Sequence, residues 1–159
     1  MALSIYREVS SGTYAVYGQD GVEDGFLPIV TTHDGVLGEV VEVKLFVRND
    51  DPTEYYQGVT VTPVSKTTPD ETIGTANGHG VKLYRRGSLS TSLQPQPTEA
   101  EWGAVDYGEA ISLPDIGAFG SGDTSSYLAF WYRVEVPAGA PANNKENIVL
   151  RLSYTAYPA

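Results

Sequence analysis

Three consecutive oxygen-bearing side chains, Asn49, Asp50 and Asp51, stand just before Pro52. Carboxylates and amide carbonyls gathered at one corner are ligands that a hard cation such as Ca2+ takes. Asp20, Asp24, Asp34 and Asp123 are further acids in turn-like stretches that could join them. No segment carries the spaced Asp/Asn loop with a closing Glu that an EF-hand needs. The competing reading is a turn, because Asn and Asp side chains bond to their own backbone and Pro presets the next φ. The turn is the reading adopted, with no metal or other cofactor expected. Asn49, Asp50 and Asp51 stay as the Ca2+ alternative.

His33 and His79 are the two histidines, each in a Gly-flanked turn, "THDG" and "NGHG". Serines are plentiful, yet no G-x-S-x-G elbow presents one as a nucleophile, since "FGSGD" has the wrong spacing. No H-E-x-x-H pair offers zinc two imidazoles. Eleven Glu in one chain always permit a carboxylate pair, so glycosidase chemistry cannot be read from them. The chain has no Cys, which removes disulfides, thiolate metal sites and cysteine catalysis. The expectation is a chain that is not an enzyme.

The remaining chemistry is recognition. Trp131, Tyr127 and Tyr157 fall on the polar-side positions of their stretches, with Arg133 and Arg151 beside them. Were the two stretches to pair, aromatic and cationic groups would alternate on one face. Trp, Tyr and Arg are the anchors enriched at protein interfaces, so Tyr127, Trp131, Arg133, Arg151 and Tyr157 are the candidate contact residues. Two alternatives stand beside that reading. The aromatics, with Trp131 and Trp102 foremost, could stack on sugar rings, or a loop could cover this face and bury them.

The elements that would position these groups are strands. In "VVEVKLFVRN" Val41, Val43, Leu45 and Val47 alternate with Glu42, Lys44 and Arg48, a period of two with one face in and one out. "GVTVTPV" sets Val59 and Val61 against Thr60 and Thr62. "YLAFWYRVEV" places Leu128, Phe130, Tyr132, Val134 and Val136 together, and "NIVLRLSYTAY" does the same for Ile148, Leu150, Leu152 and Tyr154. Weaker strand patterns cover 3–9, 13–18, 26–32, 80–87 and 110–116. Thr98-Glu99-Ala100-Glu101 has the spacing of a helix capping box, enough for a turn or two of helix. "SLQPQPTEAE" (92–101) reads as an extended surface loop. Many short alternating strands between Gly/Pro turns predict an all-β antiparallel β-sandwich, Ig-like or jelly-roll-like. About eight strands are expected, with at most a short helix, in a single domain spanning 1–159.

Net charge is −10, from 20 acidic and 10 basic residues. Affinity for phosphate comes from Lys and Arg, so no nucleic-acid or anionic-lipid partner is expected. The adjacent basic pair Arg85-Arg86 is read as two faces of one strand. No apolar run reaches the roughly 18–20 residues a membrane helix needs. Residues 1–20 lack the basic start and apolar core of a secretory signal, so cytoplasmic synthesis is expected.

Two stretches carry a resemblance. "EVVEVKLFVRNDDPTEYYQGVTVTPV" (39–64) is a strand ending in Arg-Asn-Asp followed by a Tyr-Tyr corner. "LAFWYRVEVPAGAPANNKENIVLRLSYTAYP" (128–158) is a Tyr-Arg-Val strand, Pro-Ala-Gly, a polar loop and a closing Tyr-rich strand. Together they resemble paired segments in small β-sandwich structural proteins of tailed-bacteriophage virions. The segment 65–127 matches nothing in that pattern. The resemblance implies a non-enzymatic virion part, either head decoration or a neck or tail adaptor. It implies assembly in the host cytoplasm onto capsid, neck or tail proteins, and homo-oligomers in the particle. It carries over no catalytic residue. A carbohydrate-binding or host-recognition module using exposed aromatics is the alternative function.

Overall fold

The computed structural model describes residues 3–10, 13–19, 31–32, 39–49, 51–65, 80–86, 94–118, 127–136, 144–145 and 148–158. In order along the chain come β1 (Leu3–Ser10), β2 (Thr13–Gln19), β3 (Thr31–Thr32), β4 (Glu39–Asn49), β5 (Glu54–Ser65) and β6 (Gly80–Tyr84). The single helix described, α1 (Glu99–Gly103), precedes β7 (Ile111–Ser112), β8 (Tyr127–Val136), β9 (Asn144–Lys145) and β10 (Ile148–Pro158). All pairings among the described residues are antiparallel. A five-stranded sheet runs β2-β1-β4-β8-β6, a three-stranded sheet runs β10-β5-β7, and β3 pairs with β9. The architecture is the expected all-β antiparallel sandwich. Of the weaker strand stretches, 26–30 lie outside the described residues, and 110–116 gives only the two residues of β7 plus a bridge between Ile116 and Tyr56.

The alternating patterns explain which faces meet. Leu45, Val47, Val59, Val61, Phe130, Val134, Leu150 and Leu152 are all buried, in one cluster that draws on both sheets. Leu3, Ile5, Val81, Leu83, Leu128 and Tyr132 complete the large sheet's share. Odd positions of β4 meet even positions of β8 because Leu45 lies opposite Phe130 and Val47 opposite Leu128. Val136 and Ile148, also expected inward, have side chains outside the described residues.

One inward residue breaks the simple alternation. Tyr56 is buried, although it has the opposite parity to Val59 and Val61. Between them sits Gly58, with φ at +63°. Ser153 pairs with Thr60 and Thr155 with Gln57, so Gly58 and Val59 together face the single residue Tyr154. That is a β-bulge on β5, with the extra residue in the left-handed conformation glycine adopts without steric cost. The bulge turns Tyr56 into the core, where its ring meets the edge of Tyr154 at a centroid distance of 4.9 Å.

Candidate functional site

The expected contact residues divide between the two sheets. β8 pairs with β4 and β6 in the large sheet, whereas β10 pairs with β5 in the small one. Trp131 and Arg133 therefore do not share a face with Arg151 and Tyr157, and the conditional aromatic–cationic strip is not formed. Tyr127 lies on β8 opposite Arg48, but its side chain is outside the described residues. The physical reason is the core: the strongest strands each place an apolar face inward, so the two sheets are pressed together through those faces.

On the outer face of the large sheet, Arg133 is cross-strand from Glu42 of β4 and from Lys82 of β6. Residues 94–109 pass over this face as a strap. Thr98 caps α1: its hydroxyl accepts from the Glu101 N–H at 3.2 Å, and the Glu101 carboxylate accepts from the Thr98 N–H at 3.0 Å. The helix turns Trp102 down onto the sheet, where it is 1% exposed. Its indole N–H donates to Glu42 Oε1 at 2.6 Å, and its carbonyl accepts from Lys82 Nζ at 2.9 Å. The Arg133 guanidinium lies over its ring at 5.5 Å.

Arg133 is the hub of this layer. It is 7% exposed and donates to Glu135 at 2.8 Å and to both Glu99 oxygens at 3.0 and 3.3 Å. Glu42 approaches it at 3.6 Å. Burial works against its charge, but the hydrogen bonds and ion pairs with Glu99 and Glu135 outweigh that, and its basicity is raised. Tyr107, past the helix, donates to Glu135 at 2.7 Å. At the other end of the strap, the Gln94 side chain pairs both ways with the Arg86 backbone at 2.9 Å, and the Gln94 backbone carbonyl accepts from the Trp131 indole at 2.7 Å. Arg86 bonds the Pro95 carbonyl and forms an ion pair with Glu101. Arg85 donates to the Ala129 carbonyl at 3.0 Å. Both lie just past the end of β6, and their guanidinium groups engage the chain itself.

This arrangement refines one expectation and corrects two. The stretch 92–101, described from 94 onward, is irregular from 94 to 98 and mostly exposed, as a surface loop is, but it buries Gln94 and Pro97 and turns helical at Glu99. Trp102 offers no ring face to a sugar. Arg133 is committed within the chain and does not stand on an open surface. Of the three readings of the Trp131 face, a covering segment is the one the geometry displays. The capping box was visible in sequence, and Trp102 one residue after it was the available signal for the strap. Nothing in the composition around Gln94 marks its burial.

The strap's carboxylates give it a pH dependence. Glu101 is lowered from the usual 4.5 to about 2, first by the Thr98 N–H and then by the Tyr84 hydroxyl and the Arg86 guanidinium. Glu99 is lowered by its hydrogen bonds and ion pair with Arg133. A carboxyl with a depressed folded pKa contributes stability that is fully present above its unfolded value, about 4.3 for Glu, and lost as pH falls through the folded one. The strap should therefore hold from neutral pH down to about 4.3 and loosen progressively toward pH 2. Tryptophan emission followed through an acid titration checks this. Loosening already complete at pH 5 would contradict it.

The acidic corner behaves as a turn. Asn49 is fully buried where the chain leaves the large sheet for the small one. Its amide donates to the Glu54 and Gly117 carbonyls, each at 2.9 Å, and its carbonyl accepts from the Asp51 N–H at 2.9 Å. Asp51 in turn accepts from the Thr53 N–H at 2.8 Å and hydroxyl at 2.6 Å. Asn49 thus ties three passages of chain together, and its oxygen already has a donor. Asp50, Asp20, Asp24, Asp34, Asp123, His33 and His79 lie outside the described residues. Among the described residues no group of three or more His, Asp or Glu is placed to hold a metal. A chelator should leave the melting temperature unchanged. Bound Ca2+ would instead raise stability by about 2.7 kcal/mol at a hundred times its Kd, and such a rise would overturn the turn reading.

The outer face of the small sheet carries the other two expected residues. With Leu150 and Leu152 inward, Arg151, Ser153, Thr155 and Tyr157 point outward, opposite Thr62, Thr60, Gln57 and Tyr55. Tyr157 is 39% exposed and stacks on Tyr55 at a centroid distance of 5.4 Å. Among the described side chains of the expected set it is the exposed aromatic. No helix among the described residues is long and apolar enough to cross a membrane. No family model matches the chain, and no curated protein or solved structure matches it either.

Proposed function

We propose that this chain is a non-enzymatic structural protein of a tailed-bacteriophage virion, a head decoration or a neck or tail adaptor, acting through protein–protein assembly. One observation carries the reading furthest. The two sequence stretches that resemble virion proteins, 39–64 and 128–158, supply the β4–β8 and β5–β10 ladders. The resemblance thus falls on the framework of both sheets, where an inherited architecture would leave its trace. The segment without resemblance supplies β6, the strap and β7. With the outer face of the large sheet strapped, the exposed residues Ser153, Thr155 and Tyr157 of the small sheet are the contact surface this reading uses.

Mass spectrometry of purified particles tests the proposal directly. The chain is expected among the virion proteins, and its absence from particles formed in its presence would refute the assignment. Tyr157→Ala is expected to reduce incorporation while leaving the fold intact, since it removes an exposed ring and not a core group. The alternative, glycan binding, keeps the Tyr55–Tyr157 stack as its aromatic platform among the described residues. It predicts loss of signal on a sugar array by the same variant, with incorporation unaffected.

A further inference from the structure

We infer that β10 is a self-pairing edge, through which two copies of this chain join their small sheets antiparallel into one continuous sheet. Among the described residues β10 pairs with β5 alone, along nearly its whole length. A strand in that position presents a row of backbone donors and acceptors, the template for adding another strand.

Three features select this edge. β10 has eleven residues, against seven in β2 and five in β6 at the edges of the large sheet. The β6 edge is partly occupied, because Gly108 N–H donates to the Val81 carbonyl at 2.8 Å. β10 also lacks the usual guards of an edge, which are charge, internal proline and bulges. Its one charge is Arg151, its proline is its last residue, and the bulge beside it belongs to β5, so β10 itself runs regularly.

Charge and symmetry argue for a second copy as the occupant. A chain of net charge −10 repels its own kind over most of its surface. β10 has no acidic residue, so approach along it avoids like charges across the ladder. Antiparallel pairing about a two-fold axis is self-complementary by construction. With full overlap the axis passes Ser153, the middle residue of the strand. Arg151 then faces Thr155 of the second copy, and Leu152 faces its Tyr154. Outward residues meet outward residues and inward meet inward, so each copy's core face continues into the other's.

This inference deepens the assembly reading by naming one partner and one edge, and it can fail separately. Sedimentation equilibrium of the purified chain is expected to show a species of twice the 17.1 kDa chain mass. Ser153→Lys sets two cations opposite each other at the axis and should return the chain to monomer. Its melting temperature at low concentration should be unchanged, because Ser153 is exposed on the outer face. Thr60→Lys, on the neighbouring strand of the same face, should leave the dimer intact. A wild-type monomer at tens of micromolar, or a Ser153→Lys dimer, overturns the inference. If dimers form but no particle contains the chain, the virion proposal falls and the paired edge stands. If particles contain a chain that is monomeric in solution, the reverse holds.

Discussion

Phe130→Ala is expected to lower the stability of the sandwich by about 3–5 kcal/mol, the range for deleting a buried aromatic ring. Phe130 has no exposed surface and sits on β8, between β4 and β6 in the large sheet. It lies directly opposite Leu45. Its removal loses the transfer free energy of the ring and leaves a cavity. β8 is held by ladders on both sides and has little freedom to collapse into the space. The measurement is equilibrium urea unfolding, in which the midpoint should fall with the slope unchanged, as for a pure stability loss. A cost under about 1 kcal/mol would mean that the site is not a packed core position.

Trp102→Ala is expected to release the strap without dissolving the sandwich. The intrinsic loss at a buried tryptophan is again about 3–5 kcal/mol. Here the loss in global stability is capped at the strap's own opening free energy, since a segment that has already detached cannot be destabilised further. The chain contains two tryptophans, Trp102 and Trp131, and both lie between the strap and the sheet. In the variant, Trp131 alone reports on that layer. Its emission should shift to the red, and amide exchange across 94–109 should accelerate, while the far-UV strand signal persists. Unchanged Trp131 emission and exchange would show that the strap is held by its ionic contacts without the indole.

These two substitutions separate the legible part of the sequence from the illegible part. Phe130 could be assigned to the core from the alternation in "YLAFWYRVEV" alone, because a period of two follows from strand geometry and needs no knowledge of the partner. The turn at Asn49–Asp51 and the capping box at Thr98–Glu101 were legible for the same reason. Each is a bond between a side chain and backbone only a few residues away.

The contact residues fared differently, because their fate depends on which strands become neighbours. Arg133 and Arg151 occupy equivalent polar-side positions in their strands, and nothing local distinguishes them. One lies beneath a strap anchored through Glu99 and Trp102, and the other on the outer face of the small sheet. Tyr56 reaches the core only because Gly58 bulges against β10. Local sequence therefore determined the long strands, most of their inward faces, the corner and the helix cap, all set by the backbone's own periodicity and short-range hydrogen bonds. Tertiary structure alone decided the strand order, the bulge register and the covering of the large sheet. Those outcomes rest on packing between residues far apart in the chain, and no single stretch of it encodes them.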